Sequence, residues 1–143
     1  MGAFVLTFLL AFGCGDLCRG EAVAHYARLF ADAGYGRLPN ERAGFLIRET
    51  GGTLTFAPWH HSDFASARYR GAVPANVIAV VHTHPSSASP WPSAHDARVA
   101  RTLALPVIVV AKHAVTIATP DGATRELFGG RWFANRYSTA STP

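Results

Sequence analysis

Eight consecutive residues, Val77 to His84 (V-I-A-V-V-H-T-H), constrain this chain more than any other stretch. Successive side chains on a strand leave opposite faces, so His82 and His84, two apart, send both imidazoles to the same face. A run this uniformly apolar is expected to lie at the centre of a sheet, buried on both sides. Two imidazoles on one face are half a metal site. Pro85, Pro90 and Pro92 then turn the chain, and Ser93 stands where a helix begins, with Asp96 one turn in. Such a helix returns Asp96 over the histidines. Two nitrogens, one carboxylate oxygen and a fourth position left to water make the open tetrahedral set of a catalytic zinc, which acidifies that water toward neutrality. The expected ligands are His82, His84 and Asp96, holding one Zn2+ per chain.

The ordered pair H-T-H-P and P-S-x-x-D resembles the signature of the JAMM (MPN-plus) zinc metallopeptidases, which is H-x-H, a loop, then S-x-x-D, with a glutamate on an earlier strand. Glu41, in P-N-E-R-A-G-F-L-I, is similar to that family's acidic segment, where Gly and an apolar strand follow closely. The resemblance covers about residues 21 to 118. It departs at one point: eight residues separate His84 from Ser93, against a usual seven, and the extra one falls in a Pro- and Ser-rich loop that tolerates insertion. The resemblance implies an α/β fold of the JAB/MPN-like (cytidine-deaminase-like) type, a mixed β-sheet packed between α-helices. It implies Glu41 as general base and later acid, and Ser93 as donor to the oxyanion of an amide under attack. It also implies a peptide or protein substrate: a ubiquitin-like protein, a sulfur-carrier protein or a cell-wall peptide.

Each residue also has a plainer reading. Alternating histidines occur on ordinary strands, and the Ser93 hydroxyl can simply cap a helix. His95 is expected to be exposed or to touch a ligand, since its neighbour Asp96 already faces the metal. Trp91 either walls the cleft or merely packs. His60 and His61 point opposite ways on an extended segment, which favours lining a substrate over binding metal. A non-catalytic MPN-like binding module is the rival from another class, although such relatives usually lack a ligand that this chain has. A cytidine-deaminase-like hydrolase would want H-x-E with P-C-x-x-C, and neither is present.

At 143 residues the chain is expected to form one domain over 19–137, with a disordered tail over 138–143. The net charge is +4, and arginines such as Arg28, Arg68, Arg98 and Arg131 are scattered with no basic run, so no nucleic-acid partner is expected. Residues 3–13 are apolar and too short to span a bilayer, and no Lys or Arg precedes them. Residues 1–18 are read either as a signal or lipoprotein leader or as a first buried element. Location stays open between the cytoplasm and export, any membrane contact would run through that leader, and export would favour a cell-wall peptide as substrate. Cys14 and Cys18 fit a disulfide or a lost leader, not a structural zinc.

The remaining pattern predicts a helix from Glu21, with Val23, Tyr26, Ala27 and Phe30 on one stripe and Gly34 ending it; His25 beside that stripe is read as packing or surface. Arg42–Glu49 and Thr53–Phe56 read as a hairpin through Gly51-Gly52. Ser93–Leu103 is a helix with Val99 and Leu103 inward and Arg98 and Arg101 outward. Pro106–Ala111 and Ala114–Ala118 pair across Lys112-His113.

Overall fold

The computed structural model describes residues 14–133, apart from 61, 64, 65, 68 and 70. The expected leader up to residue 13, His61 and the polar tail lie outside the described residues.

A short 3-10 turn, Gly15–Cys18, leads into α1, Gly20–Asp32. Cys14 and Cys18 form a disulfide across that turn, and Leu17 is buried in the core, its carbonyl accepting the Tyr26 hydroxyl at 2.8 Å. Residues 14–18 are therefore part of the packed body. Helix α1 buries Ala22, Val23, Tyr26, Ala27, Leu29 and Phe30, the expected stripe widened by two positions. It ends at Gly34, in the left-handed region at φ +64°, where a side chain is strained.

Strands β1 (Ala43–Arg48) and β2 (Leu54–Pro58) form the expected antiparallel hairpin, closed by Gly52 donating to Glu49 O at 2.8 Å with φ +86°. Two short strands, β3 (Ser62–Asp63) and β4 (Ser66–Ala67), make a separate two-stranded ladder. Strand β5 (Val77–Thr83) follows, then helix α2 (Ala94–Leu103), β6 (Val107–Val110), β7 (Ala114–Ala118) and β8 (Thr124–Gly129). The main sheet has six strands in the order β2-β1-β5-β6-β7-β8; β5 runs antiparallel to β1 and parallel to β6, so the sheet is mixed. The edge strand β8 had no counterpart in the sequence reading. It is an edge strand of exposed and half-buried residues, in which only Leu127 and Phe128 pack against the α1-side core, too short an apolar signal to read as a strand.

The two helices cover opposite faces. On β5, Ala79 and Val81 belong to the cluster around α1, whereas Val80 belongs to the one containing Ala100 of α2; on β1, Leu46 and Phe45 divide the same way. Period-2 alternation thus assigns Val80, and with it His82, to the α2 side. Helix α2 differs from expectation at its end. Ala100 is fully buried, while Leu103 is 36% exposed: residues 101–104, up to the cap at Ala104 in the left-handed region, are all exposed. Among the described residues no helix is long and apolar enough to cross a membrane.

Candidate metal centre

The site stands at the C-terminal end of β5. His82 is in the strand and His84 just beyond it, yet the His84 N–H still donates to Val110 O at 3.0 Å, which extends the parallel ladder by one step. Both histidines are buried and their ring centroids lie 4.9 Å apart. The period-2 expectation holds: they leave the same face, under α2.

Glu41 reaches the histidines through a backbone clamp. The Thr83 N–H donates to Arg42 O at 2.8 Å, and the Arg42 N–H donates to the Thr83 hydroxyl at 2.9 Å. With Arg42 fixed beside Thr83, the Glu41 carboxylate lies 3.6 Å from His82 Nδ1. One donor atom from each of Glu41, His82 and His84 lies within 4.8 Å of the others, so these three can hold a metal ion.

Asp96 arrives from the other side as expected, on the first turn of α2. Ser93 caps that helix in a capping box: its hydroxyl accepts from Asp96 N at 3.1 Å, and its own N–H donates to Asp96 Oδ2 at 2.7 Å. The Ser93 hydroxyl also donates to Oδ2 at 2.9 Å. Ser93 therefore saturates one carboxylate oxygen and leaves Oδ1 facing His82 Nε2 at 3.0 Å; Oδ2 lies 3.8 Å from His84 Nε2.

Whether these groups fit a metal is tested by His82. Its Nε2 is buried and makes no hydrogen bond, and its neighbour is Asp96 Oδ1 at 3.0 Å, an ion pair whenever the imidazole is protonated. A buried nitrogen without a hydrogen bond is costly. Two donor atoms that approach without bonding are placed as two ligands of a third atom would be: zinc bonds of 2.0–2.2 Å put neighbouring tetrahedral ligands about 3.3 Å apart. The donor set, two imidazoles and carboxylate oxygens, suits zinc.

The loop Pro85–Pro92 sets the second histidine. His84 Nδ1 lies 2.6 Å from Ser89 O. A carbonyl only accepts, so Nδ1 carries the proton and Nε2 presents its lone pair to the metal side. The loop is tied down by the Thr116 hydroxyl donating to Pro90 O at 2.7 Å. Sequence reasoning missed the Ser89 carbonyl and the Thr83–Arg42 clamp. Backbone groups leave no residue signature, and only the length of the loop hinted at a role.

Electrostatics follow from this packing. Burial by itself favours neutral His82, but the Asp96 and Glu41 carboxylates beside it outweigh it and its pKa is pushed up to about 9. Burial likewise opposes ionisation of Asp96, yet His82 and the two Ser93 donors hold its carboxyl well below the usual carboxylate range.

A cavity of about 500 Å³ opens over the four groups. Trp91, 46% exposed, and Trp59 form part of its walls, so Trp91 faces the cleft. His95 is exposed and also lines it; His60 is exposed and does not. His25 packs, its Nε2 3.0 Å from Leu54 O and its ring stacked on Phe56. No family model matches this chain, and no curated protein matches it.

Proposed function

We propose that this protein is a zinc-dependent metallopeptidase or isopeptidase of the JAMM (MPN-plus) type, hydrolysing an amide bond in a peptide or protein substrate, and that its mixed sheet between two helices is the JAB/MPN-like arrangement. One observation carries the reading: Glu41, His82, His84 and Asp96 converge in one cleft around a buried His82 nitrogen that makes no hydrogen bond and faces Asp96 at 3.0 Å. In this reading His82, His84 and Asp96 hold the zinc. Bound there, zinc supplies a Lewis acid and lowers the pKa of water toward neutrality.

The chain's own residues do the rest. Glu41, held beside His82 by the Thr83–Arg42 clamp, takes the proton of the attacking water and returns it to the leaving amine. Ser93 orients Asp96 and, by turning its hydroxyl proton outward, donates to the oxyanion. Trp59 and Trp91 exclude water from the cleft. The substrate class remains that of the resemblance: a ubiquitin-like protein, a sulfur-carrier protein or, for an exported chain, a cell-wall peptide.

Metal analysis of the purified protein, coupled to peptide hydrolysis with and without chelator, tests the reading. One equivalent of zinc and chelator-sensitive cleavage are expected. A full zinc complement with no cleavage of any amide substrate would instead favour the non-catalytic binding module.

A further inference from the structure

A second cavity, of about 300 Å³, is lined by Tyr35, Arg37, Ser86, Lys112 and Phe133. It lies beyond the C-terminal ends of the two central strands β5 and β6, with Tyr35 and Phe133 packed against Phe30 of α1. Ser86 follows His84 by two residues, and Lys112 follows by two the Val110 whose carbonyl accepts the His84 N–H. Two residues of extended chain span at most about 7 Å, so each of these residues lies within about that distance of a strand end that frames the metal centre.

The walls are fixed by backbone contacts. The Ser86 N–H donates to Gly36 O at 2.8 Å, and a Cβ on Gly36 would come within 2.7 Å of the Ser86 hydroxyl oxygen. The Trp132 indole donates to Ala111 O at 2.8 Å, which sets Phe133 beside Lys112. Tyr35 sits in the left-handed region at φ 56°, unusual for an aromatic residue, with its ring against Phe30 and Phe133 at centroid distances of 5.9 and 6.2 Å.

Charge gives the cavity its sign. No carboxylate lines it, and neither Arg37 nor Lys112 forms an ion pair or side-chain hydrogen bond among the described residues. Arg19 and Arg48, by contrast, both pair with Asp16. Two unpaired cations over aromatic walls attract an anion borne on an apolar body. The volume, at the low end for ligand cavities, suits one residue and not a folded domain.

We propose that this cavity is a carboxylate subsite, taking an acidic or C-terminal residue of the substrate peptide while the scissile amide lies at the metal centre. It rests on the peptidase reading for its substrate, and its test separates the two. Both cations are exposed, so the preference is modest, on the order of tenfold, and weakens with salt.

The experiment titrates the full-length, zinc-loaded protein with three N-acetylated peptides: one with a free C-terminus, its C-terminal amide, and an amide with glutamate as its last residue. Amide chemical shifts of Ser86 and Lys112 report binding, and hydrolysis is followed in parallel. Free acid or glutamate amide binding about tenfold tighter than the plain amide, with that preference erased in R37Q/K112Q, is the expected result; which of the two binds tells a terminal from a side-chain carboxylate. Equal binding of all three peptides overturns the proposal, as does inorganic phosphate matching the peptides in affinity. Carboxylate-dependent binding without hydrolysis keeps the subsite and sinks the peptidase reading. Hydrolysis indifferent to the carboxylate does the reverse.

Discussion

The Nδ1–H of His84 is donated to the carbonyl oxygen of Ser89, 2.6 Å away, across the loop that joins β5 to α2. This bond fixes which nitrogen of His84 is free, and it comes from the Pro- and Ser-rich loop Pro85–Pro92. Partners of this kind, one bond removed from the metal, are worth about 10- to 100-fold in affinity. Deleting Ser87 shifts Ser89 and is expected to weaken zinc by about that factor while the circular dichroism spectrum is retained. Unchanged affinity in a chelator competition would show that the loop does not orient His84.

Glu41 and Asp96 both approach His82, and substitution separates their roles. Glu41→Gln is expected to keep one equivalent of zinc and to lower kcat by about 10²- to 10⁴-fold, the usual worth of a general base. Asp96→Asn and His84→Ala are expected to lower bound zinc itself. Because Glu41 also lies within ligand reach, loss of zinc in Glu41→Gln would move it from the acid-base role to the metal.

Proton linkage gives opposite pH trends for the two forms. With its pKa raised from the ordinary 6.5 to about 9, His82 is protonated in the metal-free protein at neutral pH. Zinc must displace that proton, so binding at pH 7 is expected to release at least one, and apparent affinity falls about tenfold per unit as pH drops below about 9. The stability of the metal-free protein runs the other way: the His82 contribution is complete below pH 6.5 and is lost as pH rises to about 9. Calorimetry in buffers of different ionisation enthalpy counts the protons, and a count of zero at pH 7 contradicts the linkage.

Ser93 acts as a cap in the structure and as an oxyanion donor in the proposed reaction. The two separate because glycine is a tolerable N-cap, costing a few tenths of a kcal/mol, whereas alanine costs about 1 kcal/mol. Ser93→Gly is expected to melt close to the parent and still lose about 10²- to 10³-fold in kcat. Full activity in Ser93→Gly would reduce Ser93 to helix capping.

Gly44 lies where β1 passes β2, and a Cβ there would stand 2.6 Å from Ala57 O, with the Phe56 ring closer still. Backbone cannot yield cheaply, so Gly44→Ala is expected to cost about 1–3 kcal/mol. Each kcal/mol lowers Tm by about 2–4 °C in a domain near this size. An unshifted melting curve would mean that the hairpin slides to make room.

The sequence of β5 and the start of α2 determined their own local structure, because the apolar run, the three prolines and the Ser93–Asp96 spacing are local signals. It therefore placed His82 and His84 on one face and returned Asp96 over them. Glu41 was legible only by resemblance, since no local pattern says which strand lies beside β5. Tertiary structure decided the rest: the Thr83–Arg42 clamp that brings Glu41 to His82, the Ser89 carbonyl that sets the His84 proton, and the placing of Arg37 and Lys112 in the walls of one cavity. Periodicity is written into neighbouring side chains, but these contacts either join residues far apart, as Thr83 and Arg42, or run through backbone groups that every residue carries, as His84 and Ser89, and only the closed fold selects which of them meet.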